Sequence, residues 1–277
     1  MRVPIHVVEA RREKLSALLE QHHYLPVHEL CQRLGVSEAT ARRDLAMLAS
    51  RNKVKRTHGG ALVEFNERFP SFRERQANGA CGKAKVAKAA ARLLQPRGTY
   101  FLDSGTTIFA LAEVFRELAV SPVTIVTSNL PVGELLSSVP GLSVFLTAGQ
   151  LLGRQSVLLG ETAQRSLKFW NFDIAFLSAE AANQNGIWNS QEAIVQQQLV
   201  AVRRSARVAY CLDSSKIGTS APFLLKKWEE VDLFLTDASA DRLQSAGIES
   251  KFALSCDPSS PLPDLRPSNP SLPVHFL

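Results

Sequence analysis

The chain is poor in cysteine, and none of its cysteines is spaced for chemistry. Cys31, Cys81, Cys211 and Cys256 are the only four in 277 residues, and no two form a Cys-x-x-Cys pair. That spacing argues against a zinc site and against a dithiol redox centre. Cys31 and Cys211 fall in apolar patterns and are expected as small core residues. No run of 18 apolar residues occurs, which excludes an ordinary membrane-spanning helix. Nothing reads as a signal peptide, so scattered free thiols imply a reducing cytoplasm. There is no internal repeat, and no acid/base pair stands at a spacing that demands catalysis.

Hydrophobic residues make up 45% of the chain and charged residues 21%, as in ordinary globular proteins. The length suits one small and one medium domain. The net charge of +6 is unevenly spread. Residues 1–62 carry 11 Lys/Arg against 6 Asp/Glu, so 11 − 6 = +5 lies in the first quarter. Such asymmetry points to a polyanionic partner for that segment, with a merely basic surface as the plain alternative.

Three short helices are legible there. Residues 7–21 place Val8, Leu15, Leu18 and Leu19 near one face. Tyr24-Leu25-Pro26 interrupts, and Val27, Leu30, Cys31 and Leu34 follow i, i+3, i+4, i+7 spacing. Gly35 can end that helix in the left-handed conformation, and Ser37 can cap the next one. Over 38–50, Ala39, Leu45, Leu48 and Ala49 suggest a buried stripe, with Thr40, Arg42 and Arg43 off it. Two short helices joined by a glycine turn make a helix-turn-helix, whose second helix can enter a DNA major groove. Lys53-Val54-Lys55-Arg56-Thr57-His58-Gly59-Gly60-Ala61-Leu62-Val63 then reads as a wing, two short strands around a glycine turn with a basic tip. The candidate DNA-binding residues are Ser37, Glu38, Thr40, Arg42, Arg43, Lys53, Lys55, Arg56, His58 and Gly59. Arginines can pair with guanine edges, and the wing cations with phosphates.

The organisation expected is a DNA-binding domain over 1–63, a linker over 64–82, an α/β domain over 83–256 and a disordered tail over 257–277, where six prolines fall. In the α/β part, candidate strands Thr99–Leu102, Val123–Thr127, Ser143–Thr147, Asp173–Ser178, Ala206–Leu212 and Val231–Thr236 alternate with helices near 83–95, 106–118, 131–138, 160–169, 190–204, 222–227 and 239–245. That alternation predicts a doubly wound, mostly parallel sheet.

Ligands of such sheets bind at the carboxyl ends of the strands. Polar residues collect there: Asp103, Ser104, Gly105, Thr106 and Thr107; Thr127, Ser128 and Asn129; Gly149 and Gln150; Ser178 and Glu180; Asp213, Ser214, Ser215 and Lys216. Gly105 would allow a tight turn, and the helix start with two threonines would cradle a phosphate. An ordinary capped strand-to-helix turn explains that segment equally well. Lys216 is the best phosphate-seeking cation, and Glu192 could accept from sugar hydroxyls or simply favour a helix start.

Ser37-Glu38-Ala39-Thr40-Ala41-Arg42-Arg43-Asp44-Leu45 and Arg56-Thr57-His58-Gly59-Gly60-Ala61 resemble the DNA-binding domain of DeoR-type transcriptional repressors. Lys83, the Asp103–Thr107 stretch, Asp173-Ile-Ala-Phe176, Glu192, Asp213–Gly218 and Thr236-Asp237 resemble that family's sensor domain, in order. The resemblance covers about residues 8–250. It implies a winged helix fused to a domain similar to ribose-5-phosphate isomerase. It implies repression of a sugar-catabolism operon, relieved by a phosphorylated sugar or similar metabolite, with no cofactor or metal. The effector-binding residues it implies are Lys83, Asp103, Ser104, Gly105, Thr106, Thr107, Thr127, Ser128, Asn129, Gly149, Ser178, Glu192, Asp213 and Lys216. The chain departs from the family at Ala41, where a larger β-branched residue is usual, at Ala148, and near Ser178 and Ala181, where glycines are usual. Side chains at Ala148 and near Ser178 and Ala181, in place of glycines, imply a narrower pocket and a changed ligand shape.

Double-stranded operator DNA, a phosphorylated metabolite and a second copy of the chain, as dimer or tetramer, are the partners expected. Two other readings compete. A sugar-phosphate isomerase or transferase with an appended DNA-binding segment would use Glu192 as base and Lys216 as phosphate holder, and would turn over substrate. A nucleoid-binding module would bind DNA regardless of sequence and metabolite.

Overall fold

The computed structural model describes residues 4–22, 24–51, 54–56, 60–63, 70–118 and 120–256. The chain divides into two compact units, residues 1–70 with 220–223, and 71–219 with 224–277.

The first unit is built on α1 (Ile5–His22), α2 (Val27–Leu34) and α3 (Glu38–Ser50). Gly35 ends α2 at φ 64°, its N–H donating to the Cys31 carbonyl. Ser37 caps α3, its hydroxyl accepting from Thr40 N. Leu15, Leu19, Leu30, Ala41, Leu45 and Leu48 close a common core, with Cys31 packed at its margin. The buried stripe of α3 is Ala41, Asp44, Leu45 and Leu48, and Ala39 is exposed. The expectation for Ala39 was out of phase: position 41 lies four and seven residues before 45 and 48, whereas 39 falls on the opposite side.

Tyr24-Leu25-Pro26, read as a mere interruption, is a strand, β1 (Tyr24–Pro26). It pairs antiparallel with β3 (Gly60–Val63), which also pairs with β2 (Val54–Arg56). Two wing strands are therefore present. Lys53, His58 and Gly59 lie outside the described residues, as do 64–69 and 257–277.

The stretch read as linker carries α4 (Phe72–Ala77) and the start of α5 (Ala80–Ala91). Ser71 and Glu74 form a capping box that starts α4. Seven strands follow in one sheet: β4 (Thr99–Leu102), β5 (Val123–Thr127), β6 (Leu142–Leu146), β9 (Phe172–Leu177), β12 (Ser205–Cys211), β14 (Leu233–Thr236) and β15 (Ala253–Ser255). Their order is β15-β14-β12-β9-β4-β5-β6, and every pairing is parallel. All six residues of β9 are buried, as a central strand covered on both faces requires. One face packs Tyr100, Leu102, Ile125, Ile174, Phe176, Ala209 and Leu235 against α5 and α6 (Thr106–Glu117). Alternate residues, Phe101 and its pairing partner Ala175 among them, point to the other face.

The remaining strands are short. β7 (Gln150–Leu152) pairs antiparallel with β8 (Val157–Leu159). β10 (Ala181–Asn183), β11 (Gly186–Asn189) and β13 (Phe223–Lys226) form a small sheet. The helix expected near 222–227 is therefore strand β13. Its run of apolar and basic residues fits either period, and sheet pairing decides it. Two further helices flank the parallel sheet, α7 (Leu130–Ser137) against β5 and β6 and α9 (Glu192–Arg203) against β9 and β12, while α8 (Glu161–Leu167) packs on α9 and β8.

The chain order of the parallel strands positions the site. β4, β5 and β6 run outward in one direction, and β9, β12, β14 and β15 run outward in the other. The direction reverses between β4 and β9. At such a switch point the connections leave to opposite faces, opening a crevice at the carboxyl ends of those two strands.

Candidate functional site

On α3 the buried face is held from beneath by a salt-bridged carboxylate. Asp44 accepts from Arg11 Nε at 2.7 Å and from Arg12 Nε at 2.8 Å, and its side chain is 3% exposed. Burial disfavours its charge, but the hydrogen bonds and charges of Arg11 and Arg12 outweigh that and hold the carboxyl below its ordinary value. This clamp fixes α3 against α1. It was not foreseen, because Asp44 looks like a solvated residue within the Arg42-Arg43-Asp44 run.

The opposite face of α3 is free to meet a partner. Arg42 and Arg43 are exposed. Arg42 pairs with Glu38 at i, i+4, with Nη2 2.5 Å from Oε1. Among the described residues Arg43 has no ion pair. The Thr40 and Ser37 hydroxyls lie 3.0 Å apart, in a hydrogen bond that either can donate. Lys55 and Arg56 lie on wing strand β2.

At the switch point of the parallel sheet, the loop after β4 meets the loop after β9. Asp103, 2% exposed, accepts at Oδ2 from the Ser178 N–H at 3.0 Å and from Gln198 Nε2 at 2.7 Å. Burial raises its carboxyl above the ordinary value, against those hydrogen bonds. Gln198, on α9, also donates to the Ser178 carbonyl at 2.7 Å and accepts from Asn189. Gln198 and Asn189 were not foreseen: a glutamine within a helix carries no signal until its strand partners are known.

Gly105 has φ −79°, a conformation open to any residue. The expected tight turn is therefore not its role. A Cβ there would lie 1.8 Å from Ser178 Oγ and 2.4 Å from Ser178 Cβ. Close approach of the two loops demands the glycine. Ser104, Thr106 and Thr107 are buried around it, the threonines opening α6.

Neighbouring strands add polar groups of two kinds. Thr127 Oγ1 donates to the Leu102 carbonyl at 2.6 Å and accepts from Asn129 N, so its hydroxyl is taken by the fold. Asn129 Oδ1 caps α7 through Val132 N. In contrast, Ser128 Oγ, Asn129 Nδ2 and Asp213 Oδ2 are buried with no hydrogen-bond partner among the described residues. Such groups cost free energy in the fold, and a ligand can satisfy them. The other Asp213 oxygen is held by Ser215.

Lys216 is not a free cation: its Nζ donates to Glu180 Oε2 at 2.9 Å. Lys83, 5% exposed, donates to the carbonyls of Arg75 and Asn78 and so closes the end of α4. Burial lowers its ammonium below the ordinary value. A cleft of about 390 Å³ between α4, α5 and α6 brings together only Lys83 and Thr106 of the expected set, with Arg73, Gln76 and Glu113. Gly149, at φ 124°, is needed for its backbone, since a Cβ would sit 2.5 Å from the Leu159 carbonyl oxygen. Glu192 is exposed at the first position of α9, as a carboxylate favoured by a helix dipole would be.

Among the described residues no cluster of three His, Cys, Asp or Glu could hold a metal, and no helix is long and apolar enough to cross a membrane.

Comparison with known proteins agrees with both halves of the chain. Residues 11–67 match the DeoR-like helix-turn-helix domain, and residues 80–238 match the DeoR C terminal sensor domain. The HTH-type transcriptional regulator GolR of Listeria innocua is 30% identical over 250 residues, covering 88% of this chain and 98% of the relative. The HTH-type transcriptional regulator UlaR of Shigella sonnei is 30% identical, covering 85% and 93%. The HTH-type transcriptional repressor GlcR of Bacillus subtilis is 27% identical, covering 86% and 95%. Among solved structures, ribose 5-phosphate isomerase A of Methanocaldococcus jannaschii matches with a TM-score of 0.35 at 18% identity, covering 53% of this chain and 56% of that one.

Proposed function

Because the chain belongs to the DeoR family of transcriptional regulators, we propose that it represses a sugar- or carbohydrate-catabolism operon and leaves its operator when a phosphorylated sugar or related metabolite binds. It is a DNA-binding regulator and not an enzyme. The observation that carries the reading is α3 itself: a helix locked by Asp44 on one face and presenting Arg42 and Arg43 on the other. Its arginines would read base edges or phosphates. Ser37, Glu38 and Thr40 at its start, and Lys53, Lys55, Arg56, His58 and Gly59 of the wing, would fix it on the backbone.

The effector would lie at the carboxyl edge, over the β4–β9 crevice. The buried groups of Ser128, Asn129 and Asp213 would find partners on a sugar, and Lys216 and the start of α6 would face its phosphate. Lys83, Asp103, Gly105, Thr127 and Gly149 would then serve by shaping the walls, and Glu192 would lie at the rim. A ligand releases DNA only by binding one arrangement of the protein more tightly than the other. Symmetric operators call for a dimer or tetramer, and the setting is cytoplasmic.

The test is an anisotropy titration on the promoter region beside the protein's own gene, at fixed salt with excess nonspecific DNA, against a panel of sugar phosphates. Specific binding released by one of them supports the reading, and Lys216→Ala or Thr106→Ala should then keep DNA binding but lose the release. Absence of any specific binding, or turnover of ribose 5-phosphate, would overturn it.

A further inference from the structure

Glu180 follows β9 and sits between two cations. Its Oε2 accepts from Lys216 Nζ at 2.9 Å, and its Oε1 lies 3.7 Å from Arg75 Nη1. The Arg75, Glu180 and Lys216 side chains are 16%, 20% and 27% exposed, so the trio is poorly screened yet reachable from water. Arg75 is steadied by Gln155, whose Oε1 accepts from Nη2 at 2.6 Å. Lys83 in turn holds the Arg75 carbonyl. The guanidinium thus comes from α4, in the stretch that reads as linker, and the ammonium from the turn after β12.

A carboxylate bridging a guanidinium and an ammonium offers two anionic oxygens to two donors. A phosphoryl group offers the same oxygens with more charge. We infer that Glu180 is the resident counter-ion of the effector site, and that the dianionic phosphoryl group of a ligand displaces it to take Arg75 and Lys216 together. This rests on the carboxyl edge being the effector site. Asp103 also bears electrostatically on Arg75, but Ser178 and Gln198 already hold it, which leaves Glu180 as the exchangeable acid. With Glu180 in place the trio carries one net positive charge. A neutral sugar has no charge with which to compete for the cations, so the arrangement selects phosphorylated ligands over free ones.

Isothermal titration calorimetry on the full chain tests this without DNA. The probes are inorganic phosphate, ribose 5-phosphate and ribose. Glu180→Gln should tighten binding of both phosphates by roughly tenfold and leave ribose unchanged, because only charged ligands compete with the carboxylate. Adding Arg75→Gln should erase the gain. Glu180→Asp, whose shorter reach loosens the bridge, should show a smaller gain and serves if Glu180→Gln does not fold. An unchanged phosphate affinity in a folded Glu180 variant, or a gain that persists without Arg75, overturns the inference. Neither result bears on whether a metabolite releases the operator, so the two readings fail separately.

Discussion

Replacing Asp44 by alanine should loosen the DNA-binding unit more than any surface change. The carboxylate accepts from Arg11 at 2.7 Å and from Arg12 at 2.8 Å while itself nearly inaccessible. Hydrogen bonds to a charged group contribute about 1.5–3 kcal/mol each. The two arginines are about one fifth exposed and recover part of their hydration, which places the loss near 3 kcal/mol rather than at the top of the 3–5 kcal/mol range for broken buried pairs. In a unit of this size that is roughly 12–24 °C in Tm. Differential scanning calorimetry of the full chain reads it, with hydrogen exchange over α1–α3 identifying which transition moves.

The pH dependence supplies an independent check. The Asp44 carboxyl is held below its ordinary value in the folded state. Its contribution is therefore complete above the unfolded value of about 3.9 and is lost as pH falls through the lower folded value. The gap between wild type and Asp44→Ala should be full at neutral pH and close in that acid window. A variant within about 0.5 kcal/mol of wild type at neutral pH, the spread of ordinary surface substitutions, would refute the reasoning.

Other expectations follow from the same contacts. Gly105→Ala should cost about 1–3 kcal/mol by overpacking against Ser178, and Ser178→Gly in the same chain should recover most of it; a neutral Gly105→Ala in chemical denaturation would refute the close approach. Gln198→Leu strips donors from Asp103 and from the Ser178 carbonyl and should cost about 1–3 kcal/mol by the same assay; unchanged stability would show the network to be unimportant. Arg43→Ala should weaken operator binding on the order of tenfold if it meets a base, and an operator affinity equal to wild type removes it from the interface. Lys55→Ala should weaken binding to every sequence and lower the salt slope by about one unit if it meets phosphate; an unaltered slope excludes that contact.

Much of the first unit was open to inspection because its signals are local. Gly35, Ser37 and the apolar spacing of α2 and α3 act within a turn or two, through backbone groups that must be capped and faces that must be buried. The parallel sheet was likewise legible from alternating apolar runs and helices. The phase of α3 was not, since Ala39 and Ala41 are equally small and only packing against α1 and α2 chooses between them. Nor was β13, whose neighbour in the sheet, β11, comes from a distant segment.

The sequence by itself determined a basic helix-turn-helix with wing strands, a doubly wound sheet, and a set of polar residues after its strands. Tertiary structure alone decided which of those residues meet. Asp103 reaches Ser178 across 75 positions and Gln198 across 95, and Lys216 reaches Glu180 across 36. Strand order creates these pairs by placing β9 between β4 and β12. Burial then sets their need for partners, as it does for Asp44 on the buried face of α3. Chain spacing carries no trace of either effect, because both arise from groups brought together only when the sheet and the helix bundle close.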